Sequence, residues 1–189
     1  MKIKTILTLI LIIIPLNVYG NFLKLNTPAK QVILYDHELK KVLFEKNSND
    51  LMKPASMAKI MTAYIVFDRL QEGSLNLDDT FVVSKNAWQK GGSRTFLKLN
   101  SEVTIRDLLM GLIVQSGNDA AIVLAEGIAG SEEDFAIQMN QYASSLEMKN
   151  TNFTNSTGWP HEDLKTTAYD LIILTEALIN NFPKFLNFF

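Results

Sequence analysis

The chain of 189 residues contains no cysteine. That absence removes at once a disulfide scaffold, a thiolate zinc site and a cysteine nucleophile. Histidine is nearly as scarce, with two in the whole chain. His37-Glu38 and His161-Glu162 each begin an H-E-x-x pattern, but Lys41 and Lys165 stand where the second zinc ligand belongs. The helical zinc site of metalloproteases cannot form on either. A Ser-His-Asp triad through His161 stays open, because triads are set by geometry rather than by order along the chain. No serine lies in G-x-S-x-G, and no Gly-rich phosphate loop is present. Arginine is rare at 3 against 15 lysines, and the formal net charge is −2. A chain so poor in Arg and without a basic excess is not built to grip nucleic acid.

What remains is globular in composition, with 47% hydrophobic and 20% charged residues and a mean hydropathy of +0.07. The length suits one domain plus a targeting segment. Residues 1–20 supply that segment: Lys2 and Lys4, the apolar run Ile6–Ile14, a helix-breaking Pro15, and Val18-Tyr19-Gly20 before a cut. This is the three-part layout of a secretory signal. The run falls short of the roughly 20 residues of a transmembrane helix, which disfavours an uncleaved anchor. We therefore expect a signal peptide over 1–20 and a working domain over 21–189, exported across the cytoplasmic membrane.

Along that domain, Val32–Tyr35 and Lys41–Glu45 flank a polar turn and predict a hairpin. Ile60, Tyr64, Phe67 and Leu70 share one helical face over 56–70, and Gly73 stops it. A short strand is expected at 80–83. Thr104 with Asp107, Ser131 with Asp134 and Thr167 with Asp170 each read as a cap opening a helix. Ser116-Gly117-Asn118 breaks the apolar helical stretch between them. Four of the last nine residues are Phe, and aromatics at a chain end need something to pack against. An isolated hairpin needs partners as well.

One constellation carries chemistry. Ser56 and Lys59 lie three residues apart at the start of a helix, after Pro54, and side chains so spaced share a face. Such a lysine can take the proton of a serine nucleophile in place of histidine. A free lysine titrates near 10.4, so only about 1 in 2,500 is neutral at pH 7. Desolvation or a second cation has to lower it. A two-letter pattern arises about once by chance in a chain this long. Here Ser56 is the sole match among eleven serines, and it sits at a helix entry. S-x-N strings stand at Ser84-Lys85-Asn86 and at Ser116-Gly117-Asn118. The first reads as an ordinary turn. The second interrupts two apolar helices, where the Ser116 hydroxyl can relay a proton and the Asn118 amide can hold a substrate; the plainer reading is a helix corner with an N-cap.

S-x-x-K followed some sixty residues later by S-x-N resembles the penicillin-recognising serine enzymes. The strings PASMAKIMTAYIVFD, AWQKGGSRTFL, LLMGLIVQSGNDAAIVLAEGIAGSEEDFAIQMN and MKNTNFTNSTGWP are similar to the low-molecular-mass D-alanyl-D-alanine carboxypeptidases, peptidase family S11. The resemblance runs from about Thr27 to Phe189. It implies an α+β fold of the β-lactamase/DD-peptidase type, an antiparallel sheet with helices beside a helical subdomain. It implies a hydrolase that removes the terminal D-alanine from peptidoglycan pentapeptide stems through an acyl-serine, in the periplasm or on the outer face of the cytoplasmic membrane. Carried over by position, Ser56 is the nucleophile, Lys59 its base, Ser116 the proton relay and Asn118 a substrate-binding residue. β-Lactam antibiotics would acylate Ser56 as substrate mimics, and neither a metal nor a cofactor is implied.

A class A β-lactamase shares the first two motifs, but Glu162-Asp163-Leu164-Lys165 does not fit that branch's E-x-x-L-N loop. The family's K-T-G motif is missing too; Lys165-Thr166-Thr167 is the nearest string. In the family K-T-G lies on a later strand that supplies a cation and an oxyanion N–H. The resemblance thus implies a C-terminally truncated, partial catalytic domain with unpaired strand edges and an uncovered Phe-rich tail. Two readings follow: a carboxypeptidase completed by a second polypeptide that brings the missing strands, or an inactive remnant.

Overall fold

The computed structural model describes residues 25–189, so the signal-type segment 1–20 lies outside the described residues. Two small antiparallel sheets border a cluster of helices. Strand β1 (Val32–Asp36) pairs with β2 (Lys41–Lys46), with a register shift between Leu34 and Tyr35. Asp36 sets the turn by accepting a hydrogen bond from the Leu39 N–H at 2.9 Å. Strand β3 (Thr80–Val82) pairs with β4 (Glu102–Thr104). Between them comes the short helix α2 (Lys85–Gln89).

The long helices are α1 (Lys59–Glu72), α3 (Ile105–Val114), α4 (Asn118–Ala129), α5 (Glu132–Ser145) and α6 (Ala168–Asn181). Each of the three expected caps is made: Thr104, Ser131 and Thr167 accept from the N–H of Asp107, Asp134 and Asp170. Such a cap satisfies one of the N–H groups that every helix start leaves orphaned. Helix α4 is apolar all round from Ala120 to Ala125 and fully covered, which marks it as the central helix. Helix α1, buried from Met61 to Phe67, packs against α3, α4, α5 and α6. The start of α1 is thereby pinned beside the corner that joins α3 to α4.

Two expectations change. The Phe-rich tail is not left uncovered: Pro183–Phe188 winds into a 3₁₀ turn, and Phe182, Phe185 and Phe188 gather around Phe67 of α1. The hairpin is not an orphan either, because α6 lies against β1 and Glu176 of α6 binds Lys40 at 2.7 Å and also His37. Among the described residues β1 and β2 pair only with each other, so the outer edges of this sheet stay open. No helix among the described residues is long and apolar enough to cross a membrane.

Candidate active site

Ser56 and Lys59 meet by a tighter geometry than an ordinary α-helical face. Residues Ala55–Ala58 form a 3₁₀ turn, and α1 begins only at Lys59. In a 3₁₀ turn residues i and i+3 eclipse each other, which brings the two side chains together. Lys59 Nζ lies 3.3 Å from Ser56 Oγ. Ala55, just before the serine, is held at φ 48°, a left-handed conformation that a residue with a Cβ adopts only under constraint. Ser56 itself is exposed, whereas Lys59 retains 5% of its surface.

Burial lowers the Lys59 amine from its ordinary value to about 8. Desolvation penalises the charged form and is here the whole cause. The sequence left open whether desolvation or a second cation would do this; the fold uses desolvation. The amine also donates to the Thr157 carbonyl at 3.0 Å. Thr157 and its neighbours were legible in the sequence only as a polar loop.

That loop is pressed onto the serine turn. Gly158 sits at φ 78°, and a Cβ built there would stand 1.7 Å from the Ala55 carbonyl oxygen. Only glycine can occupy this spot, both for its backbone angle and for the space. Gly158→Ala is expected to lower stability by about 3–5 kcal/mol, a fall of about 10 °C in melting temperature. A thermal melt within 2 °C or so of the wild type would show that the contact yields cheaply.

Ser116 occupies the α3–α4 corner at φ 54°. The N-cap of α4 is Gly117, which makes no side-chain cap bond, so capping does not explain the serine. Its hydroxyl has no protein hydrogen-bond partner among the described residues. It lines a cavity of about 100 Å³ together with Ser56, Lys59, Ile60, Leu112, Ile113 and Phe189. Asn118 begins α4, buried, with its Nδ2 donating to the Gly91 carbonyl at 2.8 Å and its N–H to the Ser93 carbonyl at 2.8 Å. The side-chain oxygen has no protein donor among the described residues.

The next residue, Asp119, is fully buried, and the sequence alone gave it no role. Its carboxylate accepts from the N–H groups of Thr95 and Leu97, tying the 93–97 segment to α4 beside the cavity. Gly117 allows that approach: a Cβ there would stand 2.3 Å from Thr95 Oγ1.

The remaining candidate strings are used elsewhere. Ser84 caps α2, making the first S-x-N a helix start rather than a simple turn. His161 accepts from the Asp163 N–H and faces solvent, so it does not form a triad with Ser56. Lys165 and Thr166 form isolated bridges with Asn152 and Met52, and Thr167 caps α6.

Comparison with known proteins points one way. The pattern of the D-alanyl-D-alanine carboxypeptidase family, peptidase family S11, is matched over residues 22–189. D-alanyl-D-alanine carboxypeptidase DacF of Bacillus subtilis is 41% identical over 151 residues, which are 80% of this chain and 39% of that protein. DacC of Escherichia coli is 41% identical over 162 residues, 82% of this chain and 40% of that one. The crystal structure of DacD from Francisella tularensis superposes with a TM-score of 0.82 at 39% identity, covering 85% of this chain and 39% of its own. The ampicillin-bound form of penicillin-binding protein D2 from Listeria monocytogenes gives 0.74 at 27% identity, over 82% of this chain and 63% of its own. The chain thus spans about two fifths of the length of the curated relatives it matches.

Proposed function

We infer the function from the premise that the chain belongs to the D-alanyl-D-alanine carboxypeptidase family. Ser56 attacks the carbonyl carbon between two D-alanine residues at the end of a peptidoglycan stem peptide. As the Oγ–C bond forms, the neutral Lys59 amine takes the hydroxyl proton. The C–N bond then breaks, and Ser116 relays that proton from the Lys59 ammonium to the departing D-alanine nitrogen, which leaves the amine neutral for the hydrolysis. Water hydrolyses the acyl-serine and regenerates Ser56. The Asn118 side-chain oxygen, left free by the Gly91 bond, accepts from the substrate backbone. A β-lactam acylates Ser56 in the same way, its strained amide opening in place of the peptide bond.

The observation that carries this reading is a buried lysine amine 3.3 Å from an exposed serine hydroxyl, both opening on one cavity with Ser116. The cation and oxyanion N–H of a K-T-G strand are not among these 189 residues. The reading assigns them to a segment outside this stretch, in the same or a second polypeptide. The signal-type residues 1–20 support action beyond the cytoplasmic membrane.

Fluorescent penicillin tests the proposal. Covalent label is expected on Ser56, none on Ser56→Ala. Because the base must be unprotonated, the labelling rate should rise with pH through a midpoint near 8 and level off above it. No label at high protein concentration across that range, with the chain folded and the segment that carries K-T-G supplied, would sink the reading.

A further inference from the structure

The Thr157 carbonyl that receives the Lys59 amine is held from outside the cavity. Ser156, the residue before it, is fully buried and bonded three ways. Its N–H and its hydroxyl both donate to Glu132 Oε1, at 3.1 and 2.7 Å. Its carbonyl accepts from the buried Thr62 hydroxyl of α1 at 2.7 Å. Glu132 is the first residue of α5, half-buried, and contacts neither Ser56 nor Lys59 through any hydrogen bond. The other side of the turn is fixed by Gly158 against Ala55. A two-bond carboxylate clamp on a buried segment is an expensive arrangement to leave half-made, since an unpaired buried N–H or O–H costs its full desolvation.

We propose that Glu132 is a positioning residue for the Lys59 amine, acting through Ser156: its carboxylate clamps the 155–158 turn onto the start of α1, so that the turn both receives the amine at the Thr157 carbonyl and keeps water from it. Without the clamp the turn lifts, solvent reaches Nζ, and the amine returns toward its ordinary basicity. Charged side chains on the other elements packed against α1 are engaged elsewhere, Glu126 of α4 with Asn86 among them, except Glu133 of α5, which is exposed to solvent. Asp107 of α3 bonds Thr104, Asp119 of α4 the Thr95 and Leu97 amides, Asp134 of α5 Ser131, and Asp170 of α6 Thr151. Arg106 of α3 pairs with Asp78, and Glu176 of α6 with Lys40. None of them contributes to the lowered Lys59 value, which burial alone produces.

The test is an NMR titration of the whole chain carrying lysine labelled with ¹³C at Cε, with Lys59 assigned by Lys59→Arg. In the wild type the Lys59 midpoint is expected near 8. Glu132→Ala should move it upward by about one pH unit or more, the direction that desolvation relief gives. Glu132→Gln loses the same charge but keeps an oxygen that accepts both Ser156 bonds, and should leave the midpoint where it was. An unmoved midpoint in folded Glu132→Ala overturns the proposal. So does an equal movement in both variants, which would make the effect one of charge rather than of clamping. If Glu132→Ala does not fold, Ser156→Ala takes its place, removing one of the two bonds; a rise supports the clamp, and no rise overturns it. This inference matters for catalysis only if Lys59 is the base, but the titration needs no turnover. A chain that penicillin never labels would defeat the acylation reading and still leave the role of Glu132 to be decided by the midpoint.

Discussion

Replacing Lys59 by methionine lowers the rate at which penicillin labels Ser56 by about 10²–10⁴-fold, the usual contribution of a positioned general base. Methionine keeps the unbranched apolar stem that fills the space beneath the serine turn, so the loss reads the amine rather than a cavity. The melting temperature should hold or rise, because the variant no longer buries an amine at 5% exposure beside one carbonyl acceptor. Lys59→Arg separates two explanations. A guanidinium is permanently protonated and cannot accept the serine proton, but it does supply positive charge. If Lys59 acted only by electrostatic attraction for developing negative charge, arginine would retain a good part of the rate. If it acts as the base, arginine is as slow as methionine. Adducts forming at an undiminished rate in Lys59→Met would remove lysine from the chemistry altogether.

How much of this site could be read in advance depends on the range of the interaction. The pair Ser56–Lys59 was legible because three residues separate its members and a nearby proline marks a helix entry. Even so, the expected face of an α-helix is a 3₁₀ turn, with Ala55 in a left-handed conformation that its residue type does not announce. The caps at Thr104, Ser131 and Thr167 were legible for the same reason, each closing over three residues. The clamp from Glu132 to Ser156 spans 24 residues, Asp119 to Thr95 the same, and Lys59 to Thr157 spans 98. Nothing local in the string of Thr, Asn and Ser around 151–157 says which carbonyl will face an amine. Helix α2 escaped because five residues are too few to show a helical period, and strand β4 because its three residues run straight into Thr104, the cap of α3. The Phe-rich tail needs cover, and Phe67 supplies it. That residue lies on the apolar face of α1, but no sequence pattern links it to residues more than a hundred positions away.

Asp119→Ala is expected to lower stability by about 3–5 kcal/mol and to loosen the wall of the site that carries Asn118. The carboxylate sits with no exposed surface in the first turn of α4, where orphaned N–H groups and the helix dipole favour negative charge. It accepts from Thr95 N at 2.8 Å, Leu97 N at 3.2 Å and Ala120 N at 3.0 Å. Alanine strands the first two donors in a packed setting, at about 1–3 kcal/mol each. Asparagine fills the same volume but turns an N–H₂ toward donors, so Asp119→Asn should recover only part of the loss. The consequence reaches the substrate through connectivity: the same stretch of chain gives Asn118 its two acceptors, the carbonyls of Gly91 and Ser93. Once Thr95 and Leu97 are released, the Asn118 amide loses the frame that points its free oxygen into the cleft. Hydrogen exchange distinguishes this from general softening. The amides of Thr95 and Leu97 should exchange far faster in Asp119→Asn while those of α5 and α6 change little, and penicillin labelling should slow by about tenfold or more, the effect of misplacing a group that orients substrate. Protection at Thr95 and Leu97 equal to the wild type in Asp119→Asn would mean that the carboxylate is a passenger, and that the segment over the cavity is held by the packing of Thr95 against Gly111 and Gly117 instead.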